Sequence, residues 1–244
     1  MLHKTIKLTL IYDSKQKNAS INLDIALEGA GSSLSVNGGK TNLTADSKIV
    51  GEQTGLFAQE ADLVVNGKGS FTGAVFTTSE EAQATGKSNI VFKQGITSTD
   101  INNTTSYEGD AISIGLSIGK TTGKPQATMN GLGYGTDSDS DSSITKGGVS
   151  GYNDEQGILT TDNRAALAGK LESVFDANRV NEELGAQTQI TKEFGKEAPK
   201  AVGDFASKRE TTLILNGDFE EAKKWGDGGA YRVALHTLVG AIST

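Results

Sequence analysis

"ADLVVNGKGSFTG" occupies residues 61–73, and the fold turns on whether it is one turn of a repeat. Two earlier stretches line up with it, "INLDIALEG" at 21–29 and "TNLTADSKIVG" at 41–51. Leu23, Leu43 and Leu63 then fall 20 residues apart, each after a short polar residue, Asn22, Asn42 or Asp62. A second apolar position trails each of them, at Leu34, Ile49/Val50 and Phe71. Short alternating strands broken by Gly, Asn or Asp, with a period of about 20 residues, describe a solenoid of β-coils. Stacked rungs lie ~4.8 Å apart, so equivalent leucines would pile into one interior column. The expectation is therefore a mainly β protein built as a right-handed parallel β-helix, with Leu23, Leu43 and Leu63 as its core column. An antiparallel sandwich with coincidental spacing is the competing arrangement. After residue 76 the pattern is interrupted by the polar excursion "TTSEEAQATGKSN", and strand character returns in "NIVFKQGI", "AISIGLSIG" and "SSITKGGVSG".

Composition agrees with a thin-cored β architecture. Only 35% of the 244 residues are hydrophobic and 6% are aromatic, while glycine reaches 31 and proline only 2. A disordered chain of this polarity would be richer in proline and poorer in β-branched residues. The net charge of −7 is spread evenly, with no arginine-rich run, so nucleic-acid binding has no electrostatic footprint. Without cysteine there is no disulfide framework and no thiolate site. "MLHKTIKLTL" alternates apolar with polar residues rather than forming a signal sequence, and no stretch reaches transmembrane length. No export signal is read in the chain itself.

Beyond about residue 155 the period changes from two to between three and four. "TDNRAALAGKLESVFD" places Ala165, Ala168, Leu171 and Phe175 on one helical face, with Thr161 or Asp162 as cap. "DANRVNEELGAQTQITKEFGKEA" repeats the spacing through Val180, Leu184, Gln187, Thr191, Phe194 and Ala198, and Pro199 is expected to kink or end that helix. "GDFEEAKKWGDGG" reads as a short helix stopped by glycine, and "AYRVALHTLVGAI" as an apolar helix. The division expected is a β-helix over 1–155 and a helical module over 156–244.

Motifs for chemistry fail on spacing. In "GLGYGTDSDSDSSITKGGVSG", residues 131–151, three aspartates alternate with serines as a calcium loop might arrange them. Counting from Asp137, Ser142 holds the sixth place that an EF-hand reserves for glycine, and Gly148 the twelfth that it reserves for glutamate. "AISIGLSIGKT" ends like a phosphate loop at Gly119-Lys120-Thr121, but Ile114 stands where the first glycine belongs. His3 and His236 have no partner at ligand or catalytic spacing. The acidic pairs Glu80–Glu81, Glu182–Glu183 and Glu220–Glu221 read as solvated faces. No catalytic, cofactor-binding or metal-binding residue is expected, and the chain reads as a non-enzyme. The excursion at 77–88 is the candidate contact loop, through Ser79, Glu80, Glu81, Gln83 and Lys87.

"GAVFTTSEEAQATGKSNIVFKQGITSTDINNTTSYEG", residues 73–109, carries a resemblance through Asp100-Ile101-Asn102-Asn103, Tyr107 and the strand "AISIGLSIG" that follows. It resembles the late haemagglutinin-repeat region of filamentous haemagglutinin-like adhesins and contact-dependent growth inhibition exoproteins, which leave Gram-negative bacteria by two-partner secretion. "GYGTDSDSDSSITKGGVSG" resembles that family's closing β-coil, which would make the Ser/Asp run a polar outer edge with Ile144 and Val149 turned inward. "VFDANRVNEELGAQTQITKEFGKEA" and "KWGDGGAYRVALHTLVGAI" are similar to its pretoxin region. The resemblance implies a secreted, surface-displayed parent protein and an outer-membrane secretion partner. It also implies a C-terminal toxin with its immunity protein, and a target-cell surface or outer envelope as the thing contacted. Family members begin with a signal peptide and secretion domain and continue into a toxin after "VENN"; none of these is read here, so the module over 156–244 is expected to be truncated and no toxic activity is carried over.

Overall fold

The computed structural model describes residues 6–24, 33–121, 124–152 and 159–242. Two long strands come first, β1 (Ile6–Asp24) and β2 (Ser33–Glu52). Short strands follow: β3 (Gly55–Phe57), β4 (Ala61–Val65), β5 (Gly69–Thr72) and β6 (Val75–Thr77). A single-turn helix α1 (Glu80–Ala84) precedes β7 (Ser88–Phe92) and β8 (Ile96–Thr99). Two more long strands, β9 (Ile101–Thr121) and β10 (Lys124–Thr145), lead to the two-residue β11 (Gly148–Val149). Helices α2 (Arg164–Ala168), α3 (Ala177–Leu215), α4 (Phe219–Trp225) and α5 (Ala230–Ile242) complete the chain. The protein is thus mainly β with a helical C-terminal region.

The long strands form one sheet in the order β1-β2-β9-β10, and pairing in the molecule is mostly antiparallel. As β2 advances, its partners on β9 recede. The Asn42 amide donates to both Asp110 carboxylate oxygens (3.0 and 2.9 Å), and the Val50 N–H donates to Asn103 Oδ1 (2.8 Å). Strands adjacent in sequence pair as hairpins without a crossover, which parallel pairing would need. A parallel β-helix through all of 1–155 is therefore not what these strands build. Leu23 lies in β1, Leu43 in β2 and Leu63 in β4, whose partner strand is β7. The expected column is not formed: Leu43 is 1% exposed, whereas Leu63 is 37% exposed and pairs with Ile90.

Parallel pairing does occur in the short strands, in one pair at the 20-residue period expected and in the others at different offsets. β3 pairs with β6 at an offset of 20 residues, Gly55 opposite Val75 and Phe57 opposite Thr77. β4 pairs with β7 and β5 with β8 at an offset of 27, Ala61 opposite Ser88 and Gly69 opposite Ile96. The longer offset arises because the polar excursion after β6 folds as α1 before the strand path resumes. β11 then pairs parallel to β6, Val149 opposite Phe76.

By contact the chain divides into two units that interleave in sequence, not at a single cut near residue 155. One collects Met1–Tyr12, Thr44–Tyr107 and Ser138–Asp176; the other Asp13–Leu43, Glu108–Asp137 and Ala177–Thr244. Among the described residues, the first unit shows two small apolar clusters. Val75, Leu159 and Leu167 gather with Phe57, and Phe76, Ile90 and Val149 gather with Phe71, Phe92 and Ile96. Each such side chain contributes ~1.5–3 kcal/mol when fully buried. Much of the remaining interior is hydroxyl and amide: Ser47, Thr77, Thr78, Asn103, Thr105, Thr145 and Ser150 are all at most 3% exposed.

In the second unit, α3 lies on one face of β9 and β10. Along β9 the odd positions 109, 111 and 115 are buried, while Ile112, Ile114 and Leu116 are exposed. Gly131, Gly133 and Gly135 give β10 the same one-sided pattern, because a side chain there would strike the helix. A Cβ would come within 2.2 Å of the Lys192 carbonyl oxygen at Gly131, 2.2 Å of Thr188 O at Gly133 and 2.9 Å of Leu184 O at Gly135. Gly131 also takes φ +83°, which other residues rarely adopt. Glycine in "GLGYG" thus lets the helix backbone approach the strand, and Val180 and Leu184, both 0% exposed, fill the interface at Gly109 beside Leu43.

The helices depart from expectation at two places. α2 stops at Gly169, which is left-handed at φ 55°, so Leu171 and Phe175 are not on a helix. Asn163, not Thr161 or Asp162, is its N-cap residue. Phe175 instead packs its ring against Tyr12 and Tyr107 (centroids 5.0 and 5.8 Å). Of the two alternatives at Pro199, an end to the helix is excluded, since α3 continues through it for 39 residues in all. α4 ends at Gly226 as expected, and Trp225 sits between Phe205 and Tyr231.

Candidate functional site: a polar cleft beside the long helix

The excursion that the sequence singled out as a contact loop is tied down. Ser79 is 8% exposed; its hydroxyl accepts from Ala82 N (3.1 Å) at the start of α1 and donates to Gln59 O (2.8 Å). The Gln83 amide donates to Thr78 O (3.2 Å) and Leu159 O (3.1 Å). Lys87 pairs with Glu60 at 2.6 Å, and the Glu80 N–H donates to Asp162 Oδ2 (2.8 Å). Of the five residues, only the Glu80 and Glu81 carboxylates have no hydrogen bond or ion pair of their own among the described residues. Most of this element's polar capacity anchors it to the fold.

The Asp100-to-Tyr107 stretch is likewise structural. Asp100 accepts from Gly147 N and Lys146 Nζ, both at 2.9 Å. Asn103, 1% exposed, accepts from Val50 N and donates to Ser143 Oγ (3.0 Å), Thr145 Oγ1 (2.9 Å) and Gly169 O (3.2 Å). One amide therefore joins β2, β9, β10 and the end of α2. In the Ser/Asp run, Asp139 and Asp141 accept from the N–H groups of Ser140 (2.8 Å) and Ser142 (2.7 Å). β10 is an edge strand, and covered N–H groups plus alternating charge discourage pairing with another chain. Of the two residues expected to turn inward, Val149 is 0% exposed but Ile144 is 47% exposed, because Ser143 and Thr145 take the inner positions on either side.

Among the described residues, concave space with converging polar groups is best developed in the second unit. A cleft of about 480 Å³ opens between the side of α3 and the β1–β2–β9 face. Gln16 and Asn18 reach it from β1, Thr41 from β2 and Ser113 from β9; Asn181, Thr188, Gln189 and Lys192 come from α3. Small residues hollow it out: Gly39 and Ala111 on the sheet, and Gly185 on the helix, where an added Cβ would meet nothing within 4 Å. Lys192 is steered by Asn37, whose Oδ1 accepts from Nζ at 2.9 Å. Asn181 and Thr188 each spend a donor on the helix, at Ala177 O (2.7 Å) and Leu184 O (2.6 Å), leaving acceptor oxygens toward the opening.

A helix face turned to a sheet is ordinarily apolar. Asn181, Gly185, Thr188 and Lys192, three or four residues apart, break that rule, and this was the signal in the sequence that could have found the cleft. Its amides and hydroxyls, with Lys40, Lys192 and Glu193 beside them, are hydrogen-bonding groups of both signs; no side chain in it is paired as nucleophile and base. Among the described residues no three His, Asp or Glu side chains gather as a metal site. His236 lies on α5, and His3 lies outside the described residues. No described helix is long and apolar enough to cross a membrane. No protein-family model matches the chain, and no curated protein does either.

Proposed function

We propose that this chain is a non-enzymatic structural segment of a larger, secreted and surface-displayed protein of a Gram-negative bacterium, serving to carry a C-terminal effector toward a target cell. The observation that carries the reading is the parallel register of the short strands. Offsets of 20 and 27 residues between β3 and β6, β4 and β7, and β5 and β8 are those of successive rungs of a β-coil, the second widened by α1. On this reading the first unit holds the closing rungs of a parallel β-helix, whose interior of threonine, serine and asparagine suits a thin polar fibre. The likeness of residues 73–151 and 174–242 to late haemagglutinin repeats and pretoxin supplies the rest: a secretion partner in the outer membrane, and a toxin with its immunity protein beyond this segment. The test is an antibody to residues 156–230 used on washed cells, outer-membrane fractions and culture supernatant of the source organism. A very large surface band is expected. A band near the 25.4 kDa of this chain, confined to the cytoplasm, would overturn the reading.

A second reading, a binding module contacting a neighbouring cell, is favoured by the polar cleft rather than by the α1 loop. Alanine at Asn181 and Gln189 would then reduce cell attachment, while alanine at Glu80 and Glu81 would leave it unchanged.

A further inference from the structure

The face of the β-sheet opposite α3 is apolar and uncovered in the second unit. Ile112, Ile114, Leu116 and Ile118 occupy alternate positions of β9, flanked by Val36 on β2 and by Leu132 and Tyr134 on β10; all are 36–46% exposed. The opposite positions on β9 and β10 are glycine, alanine and serine on the helix side, so the usual arrangement of an amphipathic sheet is inverted there. Its bulky aliphatic residues point away from the element packed on it. Together the seven side chains present on the order of 500 Å² of apolar surface, at the upper end of what a monomer's largest patch spans. With a rim that includes Lys15, Lys17 and Lys40, the face approaches the ~800 Å² that each partner contributes to a standard interface.

We infer that this face is the contact between two copies of the chain, packed sheet to sheet. The occupant must be flat and aliphatic, because apart from the Tyr134 hydroxyl the patch has no side-chain hydrogen-bonding group with which to recognise a polar partner. The same face on a second molecule meets that description. A two-fold axis running along the strands also keeps like charges apart. It sets the lysine-bearing β1 edge of one copy over the β10 edge of the other, whereas an axis across the strands would bring Lys15 and Lys17 against their own copies. Two such faces bury roughly 1,000 Å² of apolar side chain before the rim is counted, about the least that a specific interface needs, and the rim adds to it.

Analytical ultracentrifugation of the whole chain over a hundredfold range of concentration decides it, with circular dichroism as the check on folding. The expected result is a monomer–dimer equilibrium whose Kd rises at least about tenfold in Ile114→Lys, since a charge is placed in the buried centre from both sides. The milder Ile114→Thr serves if the lysine variant misfolds, and should weaken the dimer by a smaller factor. Leu215→Lys, at an 81% exposed position of α3, should leave the equilibrium unchanged. A wild-type chain that is monomeric throughout overturns the inference. So does association abolished by Leu215→Lys but indifferent to residue 114. Flotation of monomeric chain with phospholipid vesicles, lost in Ile114→Lys, would make a lipid surface the occupant and equally overturn it.

Discussion

Asn103 shows how a residue in a motif can serve the fold rather than a ligand. Its amide lies within hydrogen-bond distance of four groups at 1% exposure; Asn103→Ala strands the Val50 N–H, whereas Gly169 O still accepts from Ser143 Oγ and Thr145 Oγ1 still donates to Ala168 O. A loss of about 1–3 kcal/mol is expected in urea denaturation, the cost of one buried group left unsatisfied. Two glycines make the opposite pair. Gly133→Ala forces a Cβ toward the Thr188 carbonyl, and about 1–3 kcal/mol of destabilisation is expected from the overpacking. Gly185→Ala points into open space on a helix and should stabilise by about 0.5–1 kcal/mol. Equal effects of the two alanines on the denaturation midpoint would show that α3 does not approach β10 as described.

At the scale of elements, exposed ion pairs add small increments to helices that burial holds in place. Ion pairs three or four residues apart recur: Arg179–Glu183, Glu197–Lys200, Glu220–Lys223 and Glu221–Lys224. Hydrogen bonds from Lys200 and Lys223 hold the carboxyls of Glu197 and Glu220 below the usual carboxylate range, and the bond to Glu221 holds Lys224 above the usual lysine range. Depressed carboxyls stabilise the helix above their ordinary pKa and stop doing so as pH falls through the depressed value. The raised lysine stabilises below its ordinary pKa and stops as pH rises through the raised one. Helix ellipticity at 222 nm should therefore be greatest between these limits, declining in acid and in strong alkali, and salt should flatten the profile. A profile flat from acid to alkali at low salt would contradict it. In α1 the cap is local, and Ser79→Ala should cost about 1 kcal/mol from its hydroxyl's contact with Ala82 N.

The whole molecule is not the sum of a β half and a helical half. Thr160 bridges Thr78, and Leu159 and Leu167 pack with Val75, so a stretch beyond residue 155 completes the first unit. The second unit needs strand residues 13–24, 33–43, 108–121 and 124–137 together with α3, α4 and α5. Residues 1–155 and 156–244 produced separately should each lose cooperative unfolding, as followed by tryptophan fluorescence of Trp225 and by circular dichroism. Two pieces that melt cooperatively on their own would restore a single boundary.

What the amino-acid sequence determined by itself was local. Alternation marked the strands, three-to-four spacing marked α3 and α5, glycine marked the end of α4, and the excursion at 77–88 marked an interruption. The 20-residue period holds for the pairing of Gly55–Phe57 with Val75–Thr77, not for the other parallel pairs or for a column through Leu23, Leu43 and Leu63. Only the tertiary structure decided which strands pair. Period two is the same for parallel and antiparallel partners, so Leu43 could be read into a rung while it lies in a hairpin sheet. The helix beyond Gly169 failed for a related reason. A helical spacing at Leu171 and Phe175 was outweighed by a left-handed glycine whose carbonyl is taken by Asn103 and Ser143, residues far off in the chain. The cleft and the exposed aliphatic face belong to this second category, since both depend on which side of β9 and β10 the helix covers. That choice is made by Gly131, Gly133 and Gly135, whose missing side chains let α3 in and leave the larger residues facing out.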